Sequence, residues 1–452
     1  MSAPAQAPGA GGAPRPTLTV FDAVAMIVGI VVGVGIFKAP SIVAGNVGSE
    51  TAFIAIWIAG GVISLIGALC YAELASSHPN AGGEYHFLNR AYGDWLGFLF
   101  AWARMTVIQT GAIAAIAFVF GDYATRLVPL GAYSSGIYAG LAVAAITALN
   151  VTGTTRSKWV QNTLTVALAL AILAVVAGGL TASAAPAAAP APAQAEVPFF
   201  GGLALIFVLL TYGGWNEAAY LSAEIREAKR NVVRALIIGI VVITTLYLLL
   251  NLAYLNALGL GGMKASSAVA ADLMRVAWGD AGAWLLSIVV VSASLSTLNA
   301  TVFTGARTNY ALGRDFRIFR ALGRWDEKSA APGNALLVQG AIALALVALA
   351  SLTPDGFTTM VAYTAPAFWL FFMLTGISLF LLRRQSPASA DPFRVPLYPV
   401  TPALFCLTAA YMLYSSFNYA MSLDPGSIGA IVGMAMLATG LPVLALARRR
   451  AA

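Results

Sequence analysis

Two short glycine-rich runs, Gly33-Val34-Gly35-Ile36-Phe37 and Tyr212-Gly213-Gly214-Trp215-Asn216, interrupt hydrophobic stretches long enough to cross a bilayer. In hydrocarbon every backbone N–H and C=O needs a partner, so a helix unwinds at membrane depth only where the freed groups line a cavity or hold a ligand. A half-helix that restarts offers unpaired N–H groups, and one that stops offers unpaired C=O groups. These are partners for a carboxylate and an ammonium, the two charges of a free amino acid. The sequence therefore places a carboxylate on the amides of Val34, Gly35 and Ile36, and an ammonium on carbonyls near Leu210, Thr211 and Gly213. Glycine suits both places, because a side chain would hold the ligand off the backbone and forbid positive φ. The competing reading makes Gly33 and Gly35 mere points of close helix approach. Tyr212, Gly214 and Trp215 complete the second run, with Trp215 either a packing anchor or a ligand contact; Asn216 would support the ammonium or tie the two halves of its helix together.

Ionisable residues inside such stretches are costly and are functional candidates by default. Lys38 follows the first run and is expected to face an outer vestibule, where it would steer a carboxylate or reach towards water. Arg104 and Glu217 carry opposite charges at membrane depth. They either form a structural pair, or Glu217 takes and releases a proton during a cycle. Glu73, and Glu224 with the basic run that follows it, are expected at cytoplasmic ends as gate and loop contacts, and His78 and His86 read as ordinary interfacial residues. Cys70 and Cys406 lie within apolar stretches and read as core residues. The sequence has no CxxC pair, His/Cys cluster or HExxH, so a metal site is not expected, and no phosphate-loop motif that would hold ATP. A nucleic-acid partner, an enzyme and an organic cofactor are likewise not expected; transport would be driven by a gradient or by exchange.

The elements that position these residues are membrane helices. With 60% hydrophobic residues and only 10% charged ones in 452, the chain is not an ordinary soluble domain. Twelve stretches of roughly 20 apolar residues begin near Leu18, Thr51, Trp95, Ala132, Trp159, Phe199, Val232, Ala281, Asn334, Phe357, Val400 and Gly426, in the manner of an all-α polytopic membrane protein. The net charge of +7 reports topology: with both termini cytoplasmic, most of the 25 Lys and Arg fall in inner loops and tails, and an even number of spans is needed to put both basic ends on one side. Residues 1–17 read as a disordered cytoplasmic tail, 18–182 as five spans, 183–198 as an Ala/Pro-rich outer linker and 199–382 as five more. Residues 383–398 read as a cytoplasmic loop, 399–447 as two further spans and 448–452 as a basic cytoplasmic tail. The two glycine runs occupy matching places in the two five-span units, the pattern of a secondary transporter with inverted repeats. Two unwound helices in one chain point to a carrier with a single occluded site, not to a channel.

The run FVLLTYGGWNEAAYLSAEIREAKRNVVRALIIGIVVITTLYLLLNLAYLNALG resembles the amino acid/polyamine/organocation superfamily, and within it the L-type amino acid transporter branch. So do VGIVVGVGIFKAPSIVAGNVGS, GALCYAELASSHPNAGGEYHFLNRAYG, LNATVFTGARTNYALGRD and DPFRVPLYPVTPALF. The resemblance implies a LeuT-type fold, in which spans one to five and six to ten are inverted repeats with broken helices one and six. It also implies an aromatic gate in the mammalian members where Leu210 stands here, so small or medium neutral amino acids are the expected substrates. Many relatives carry a lysine in span five whose ammonium replaces a sodium ion; aligning Val160-Gln161 puts Leu168 at that place. The missing charge is made up, left vacant, or replaced by a cation, and in span eight Ser296 and Thr297, beside Ser292 and Ser294, are the hydroxyls that could help hold sodium. The mammalian L-type proteins bind a glycoprotein through a cysteine between spans three and four; residues 121–135 contain none, so no disulfide-linked subunit is expected.

The resulting expectation is a secondary active carrier of small or medium neutral L-amino acids in a cell's inner (plasma) membrane, in contact with lipid. It would work by alternating access, as a proton symporter or an exchanger, with H+ or Na+ as the possible coupling ion. The alternatives are a cationic amino acid or polyamine transporter, for which Glu217 would be the pocket carboxylate, and a non-transporting sensor that keeps the fold.

Overall fold

The computed structural model describes residues 19–78, 80, 83–152, 158–182, 201–217, 225–326, 331–385, 393–422 and 424–449. The expected tail at 1–17, the linker at 183–198, Glu224, much of the loop at 383–398 and the last three residues lie outside them. Among the described residues every regular element is helical, and Asp326 and Ala331 form an isolated β-bridge. Nine helices there are long and apolar enough to cross a membrane. They begin at Glu50, Asp94, Ser134, Arg230, Val269, Gly333, Gly356, Val400 and Pro425, and three shorter apolar helices, Val20–Gly29, Leu168–Thr181 and Gly202–Thr211, fall where the sequence expects its remaining spans.

Local chemistry sets several of these boundaries. Thr19 opens the helix Val20–Val31 with a reciprocal cap: its hydroxyl accepts the Asp22 N–H at 3.3 Å while Asp22 accepts the Thr19 N–H at 2.9 Å. Ser49 caps Glu50–Ser77 by accepting the Ala52 N–H at 3.1 Å. Positive φ at Gly279 (71°) divides Val269–Asp315 into a short leading helix and the long span expected from Ala281. The span that starts at Asp94 is not a uniform α-helix. It passes through a π-helical turn, Arg104–Ile108, before continuing as Gln109–Leu127; π turns are rare and often mark functional sites.

Helices pack closely around the two interrupted ones. A Cβ added to Gly60 would overlap Val208 and press on the Tyr212 ring, and one added to Gly61 would overlap Thr244. Glu50–Ser77 thereby seats closely against both Gly202–Thr211 and Ala228–Ala265, as small residues permit between membrane helices. Gly111 does the same for Gln109–Leu127 against Thr364 and Tyr363. Large apolar side chains cover the outside too, among them Leu170, Leu173, Val241, Leu285 and Leu407, as expected where the surrounding solvent is hydrocarbon. The interior is unusually rich in tyrosine: Tyr71, Tyr123, Tyr212, Tyr247, Tyr254 and Tyr363 are all essentially inaccessible. A buried phenol needs a hydrogen-bond partner, and the partners these find define the site below.

Gly60→Leu should therefore lower the thermal midpoint of the purified protein, by an amount corresponding to about 1–3 kcal/mol of overpacking. Gly48→Ala, which meets nothing within 4 Å, should leave it nearly unchanged. Fluorescence-detected size-exclusion chromatography after a heating series measures both.

Candidate substrate site at the two helix breaks

The first break runs from Val31 to Ala39. Gly33 is extended (φ −96°, ψ −171°), a 3-10 turn covers Val34–Phe37, and helix resumes over Ala39–Gly45. The Gly33 N–H folds back onto the Val31 carbonyl at 2.7 Å. In the i→i+3 pattern of such a turn the Gly33 carbonyl takes the Ile36 N–H, which leaves Val34 and Gly35 as the amides without an acceptor in the turn. Of the three amides expected to meet a carboxylate, those of Val34 and Gly35 have no acceptor in the turn, and the third, that of Ile36, is drawn into the backbone.

The second break begins where Gly202–Thr211 ends. The Gly213 N–H bonds the Leu210 carbonyl at 3.1 Å, Gly214 takes φ 110°, and a 3-10 turn covers Trp215–Glu217. Only glycine adopts that φ without strain. Gly33, Gly35, Leu210, Gly213 and Gly214 are partly open, whereas Val34, Ile36, Tyr212, Trp215 and Asn216 are buried; at Gly213 a Cβ would overlap the Leu210 carbonyl, at 2.9 Å. A Cβ added to Gly35 would meet only Thr211 Cγ2, at 3.9 Å, and one at Gly33 only the Val31 carbonyl, at 3.9 Å. These are ordinary contacts. Close helix packing does not explain glycine there, in contrast to Gly60 and Gly61.

Tyrosines satisfy the carbonyls that the breaks release. Tyr247 lies 2.8 Å from the Val31 oxygen and 3.1 Å from the Thr211 oxygen, Tyr123 donates to Phe37 at 2.8 Å, and Tyr254 reaches Ile36 at 3.5 Å. Tyr363 donates to the Thr106 carbonyl of the π turn at 2.6 Å. None of these phenols was assigned a role from sequence. The available signal was the tyrosines themselves, isolated in apolar spans, with Tyr247 and Tyr254 two helical turns apart on one face.

Behind the second break lies a polar cluster. Arg104, from the π turn, approaches Glu217 at 3.3 Å and Glu84 at 4.0 Å. Glu84 accepts the Tyr71 hydroxyl at 2.5 Å and the Asn216 amide at 3.4 Å, while Asn216 Oδ1 accepts the Gly214 N–H at 3.3 Å. The Arg104–Glu217 pairing is thus present. Asn216 ties its own break together and anchors it to Glu84, and Trp215, edge-on to Tyr71 with centroids 5.1 Å apart and close to Phe372, is a buried packing anchor. Glu84 was missed because the sequence places it in an inner loop.

Lys38 is placed differently from the expectation of an open vestibule. Its side chain is 3% accessible, and its ammonium meets Asp122 at 2.8 Å, Asp355 at 2.8 Å and the Ser267 carbonyl at 3.3 Å. All three N–H donors have protein acceptors, so neither steering from a vestibule nor reaching for water fits. Asp122 is held further by Ser135 at 2.6 Å, and Asp355 by the Thr358 N–H at 2.7 Å. At the other end of the molecule Glu73 pairs with Arg383 at 3.2 Å and accepts the Val395 N–H at 2.6 Å, the loop contact expected of it. His78 and His86 lie outside the long spans, and burial, then Arg90, holds both imidazoles below their ordinary range, so both are neutral at pH 7.

Leu168 lines a cavity of about 280 Å³ together with Val28, Val32, Leu246, Ser296 and Thr297. The hydroxyl of Thr297 donates back to Ala293 at 3.0 Å, as Ser292 does to Ile288 at 2.8 Å and Ser294 to Val290 at 2.7 Å. The wall is mostly hydrocarbon, poor in the oxygens a hard cation needs.

The model of the family described as amino acid permease matches residues 18–437. The b(0,+)-type amino acid transporter 1 of Homo sapiens is 30% identical over 408 residues, covering 88% of this chain and 81% of that protein. The corresponding protein of Mus musculus is 29% identical over 402 residues, covering 86% and 80%. Large neutral amino acids transporter small subunit 2 of Mus musculus is 29% identical over 453 residues, covering 98% and 82%. These relatives are transporters, not enzymes.

Removing the cation from the Lys38 cluster leaves two carboxylates facing each other at low dielectric. Lys38→Met should destabilise the protein by about 3 kcal/mol, and Lys38→Met combined with Asp122→Asn should recover much of the loss. Thermal midpoints of the single and double variants in detergent measure this coupling; equal midpoints for the two would contradict it.

Proposed function

We propose, from the premise that the chain belongs to the amino acid permease family, that it is a secondary carrier of small or medium neutral L-amino acids, working by alternating access. The observation that carries this reading is the meeting of the two breaks. The amides of Val34 and Gly35 have no acceptor within their turn, the carbonyls of Val31 and Thr211 share the Tyr247 hydroxyl, and Gly35 and Thr211 are in near contact. A zwitterion needs both kinds of partner within a few ångströms. A neutral side chain is favoured because Glu217, the carboxylate nearest the breaks in sequence, is engaged by Arg104 at 3.3 Å. Leu210 at the rim leaves more room than an aromatic gate. The relatives' names speak of b(0,+)-type and large neutral amino acid transport, and cationic amino acids are the second reading, requiring Glu217 to exchange Arg104 for substrate.

The same reading assigns twelve spans as two inverted five-span repeats followed by two more, with both termini cytoplasmic in a plasma membrane. Nine long helices and three short apolar ones at the expected places support the count, and the loop distribution of Lys and Arg supports the orientation. Coupling is to protons or to a second amino acid in exchange; the hydrocarbon wall at Leu168 speaks against sodium. One relative's name, small subunit, marks that protein as part of an assembly. For this chain a disulfide-linked partner is not proposed, since residues 121–135 lack cysteine.

The test is counterflow uptake by purified protein in liposomes, using radiolabelled alanine, serine, leucine, arginine and putrescine, with and without sodium and with imposed pH gradients. Uptake of one of the neutral amino acids, independent of sodium, is expected. Gly35→Leu, whose Cβ would make only an ordinary contact with Thr211, should lower uptake at least about tenfold by holding the substrate carboxylate off the amides and so weakening its charge-assisted hydrogen bonds. Uptake of arginine or putrescine alone would overturn the neutral reading, and full activity of the variant would overturn the backbone site.

A further inference from the structure

Positive charge collects, unpaired, where Val269–Asp315 ends. Arg314, Arg317, Arg320 and Arg324 are all exposed, and among the described residues none of the four forms an ion pair or a side-chain hydrogen bond. Asp315 and Asp326, the carboxylates of this segment, are exposed and pair with none of them. The loop that carries the arginines is held on a fixed frame. Phe316 and Phe319 pack on Phe98, with centroids 4.8 and 6.1 Å away, and Phe319 also stacks on Trp102 at 5.9 Å. Leu312 and Leu322 are buried, and the Asn334 amide donates to the Ala321 carbonyl at 2.8 Å. A Cβ on Gly313 would overlap the Gly323 nitrogen, and one on Gly323 the Gly313 oxygen, so the backbone closes on itself there. Arg314 and Arg324 each follow one of these glycines, which sets their backbones side by side.

An excess of basic residues orients a loop across a membrane, but that task needs no such frame. Like charges gathered on a closed loop, and unpaired with the carboxylates beside them, repel one another until an anion joins them. The helix that leads into the loop indicates which anion. Phe303, Arg307, Tyr310 and Arg314 recur at i, i+4, i+7 and i+11, one face of an α-helix. Phe303 is 45% exposed, Arg307 lies over its ring at 3.2 Å, and Tyr310 packs against the exposed Trp325 with centroids 5.3 Å apart. Exposed hydrocarbon, then Tyr and Trp, then free arginine is the order met on leaving a bilayer. Phe303 and Arg314 are about 16 Å apart along the helix, within the depth of one leaflet. The loop arginines therefore stand at the level of lipid headgroups.

We infer that this arginine loop binds an anionic phospholipid, its phosphate held by Arg314, Arg317, Arg320 and Arg324 and an acyl chain running along the helix towards Phe303. The planar guanidinium donates two parallel N–H bonds to a phosphate, and basic clusters next to a membrane helix attract anionic headgroups. A free phosphate would use the arginines alone; the apolar face that ends in them commits the site to a lipid. The inference does not depend on the carrier reading.

The test is native mass spectrometry of the full chain, purified and delipidated in detergent, with phosphatidylglycerol, phosphatidylcholine or inorganic phosphate added. The unaltered protein should bind its first phosphatidylglycerol at least about tenfold more tightly than phosphatidylcholine, and millimolar inorganic phosphate should not displace it. Arg317→Gln, Arg320→Gln and Arg324→Gln together should abolish most of that preference, whereas lysine at the same three places, which keeps the charge but not the fork, should retain part of it. Arg226→Gln, Arg230→Gln and Arg234→Gln remove equal charge from another exposed basic run and should leave the preference intact. Because the loop arginines support no other side-chain contact, their variants should keep the thermal midpoint of the unaltered protein; Arg320→Gln alone, with a smaller loss, serves if the triple variant is not recovered folded. Equal affinity for the two lipids in the unaltered protein, equal losses in the two glutamine triples, or displacement by inorganic phosphate would each overturn the inference, while the carrier reading stands or falls separately, on uptake.

Discussion

A helix that stops inside a membrane releases backbone groups that no lipid can satisfy, and the architecture around residues 31–39 and 211–217 answers that constraint. The carbonyls of Val31, Ile36, Phe37 and Thr211 are met by phenols brought in from neighbouring helices, and the π-turn carbonyl of Thr106 by another. Tyrosine suits the task because its ring is apolar enough to pack among Trp57, Phe53 and the surrounding hydrocarbon while its tip remains polar. Water would satisfy the same groups and would also fill the space a substrate must occupy. Supporting the breaks with fixed side chains leaves the partly open glycine face for a ligand.

Charge placement follows the same two breaks. Lys38 comes just after the first and Glu217 just after the second, and both meet a partner on the span that starts at Asp94: Asp122 for Lys38 and Arg104 for Glu217. The two partners are roughly 27 Å apart along that helix at 1.5 Å per residue. One span therefore meets the residue that follows each break, at two well-separated points along its length. A further carboxylate joins each pair, Asp355 on one side and Glu84 on the other. Such clusters are demanding to bury and add little stability over hydrocarbon. Their value here is positional: the Lys38 cluster holds the start of Ala39–Gly45, and the Arg104 cluster holds the turn Trp215–Glu217.

How much of this could be read from the chain depends on whether a feature changes composition or only changes neighbours. The breaks were legible because Gly33, Gly35, Gly213 and Gly214 stand out in runs of apolar residues, and span starts were legible because apolar stretches end at polar loops; helices begin at Glu50, Asp94, Gly333 and Val400 close to the expected places. The Arg104–Glu217 pair was legible because two opposite charges at membrane depth need each other. Lys38 was misplaced because its partners are hidden by context: Asp122 sits near the end of a span, Asp355 follows Thr353-Pro354 in what reads as a turn, and nothing local says that both fold back over the first break. Glu84 and the tyrosines are of the same kind. Their roles arise from pairing across more than a hundred residues, or between separate helices, and a single sequence does not display it.

Side-chain support of a break has a mechanical consequence that intrahelical bonding lacks. Backbone hydrogen bonds within a helix hold neighbours a few residues apart and give way only by unfolding a turn. The bonds from Tyr123, Tyr247 and Tyr254 to the first break come from other helices, so the half-helix Val20–Val31 can turn relative to Ala39–Gly45 by exchanging one acceptor for another, without exposing a new unsatisfied group. Tyr247 already lies between two such acceptors, one on each broken helix. Two arrangements that differ by the choice of partner need lose no hydrogen bond between them. A ligand shifts the balance between such arrangements by whatever difference in affinity it has for the two.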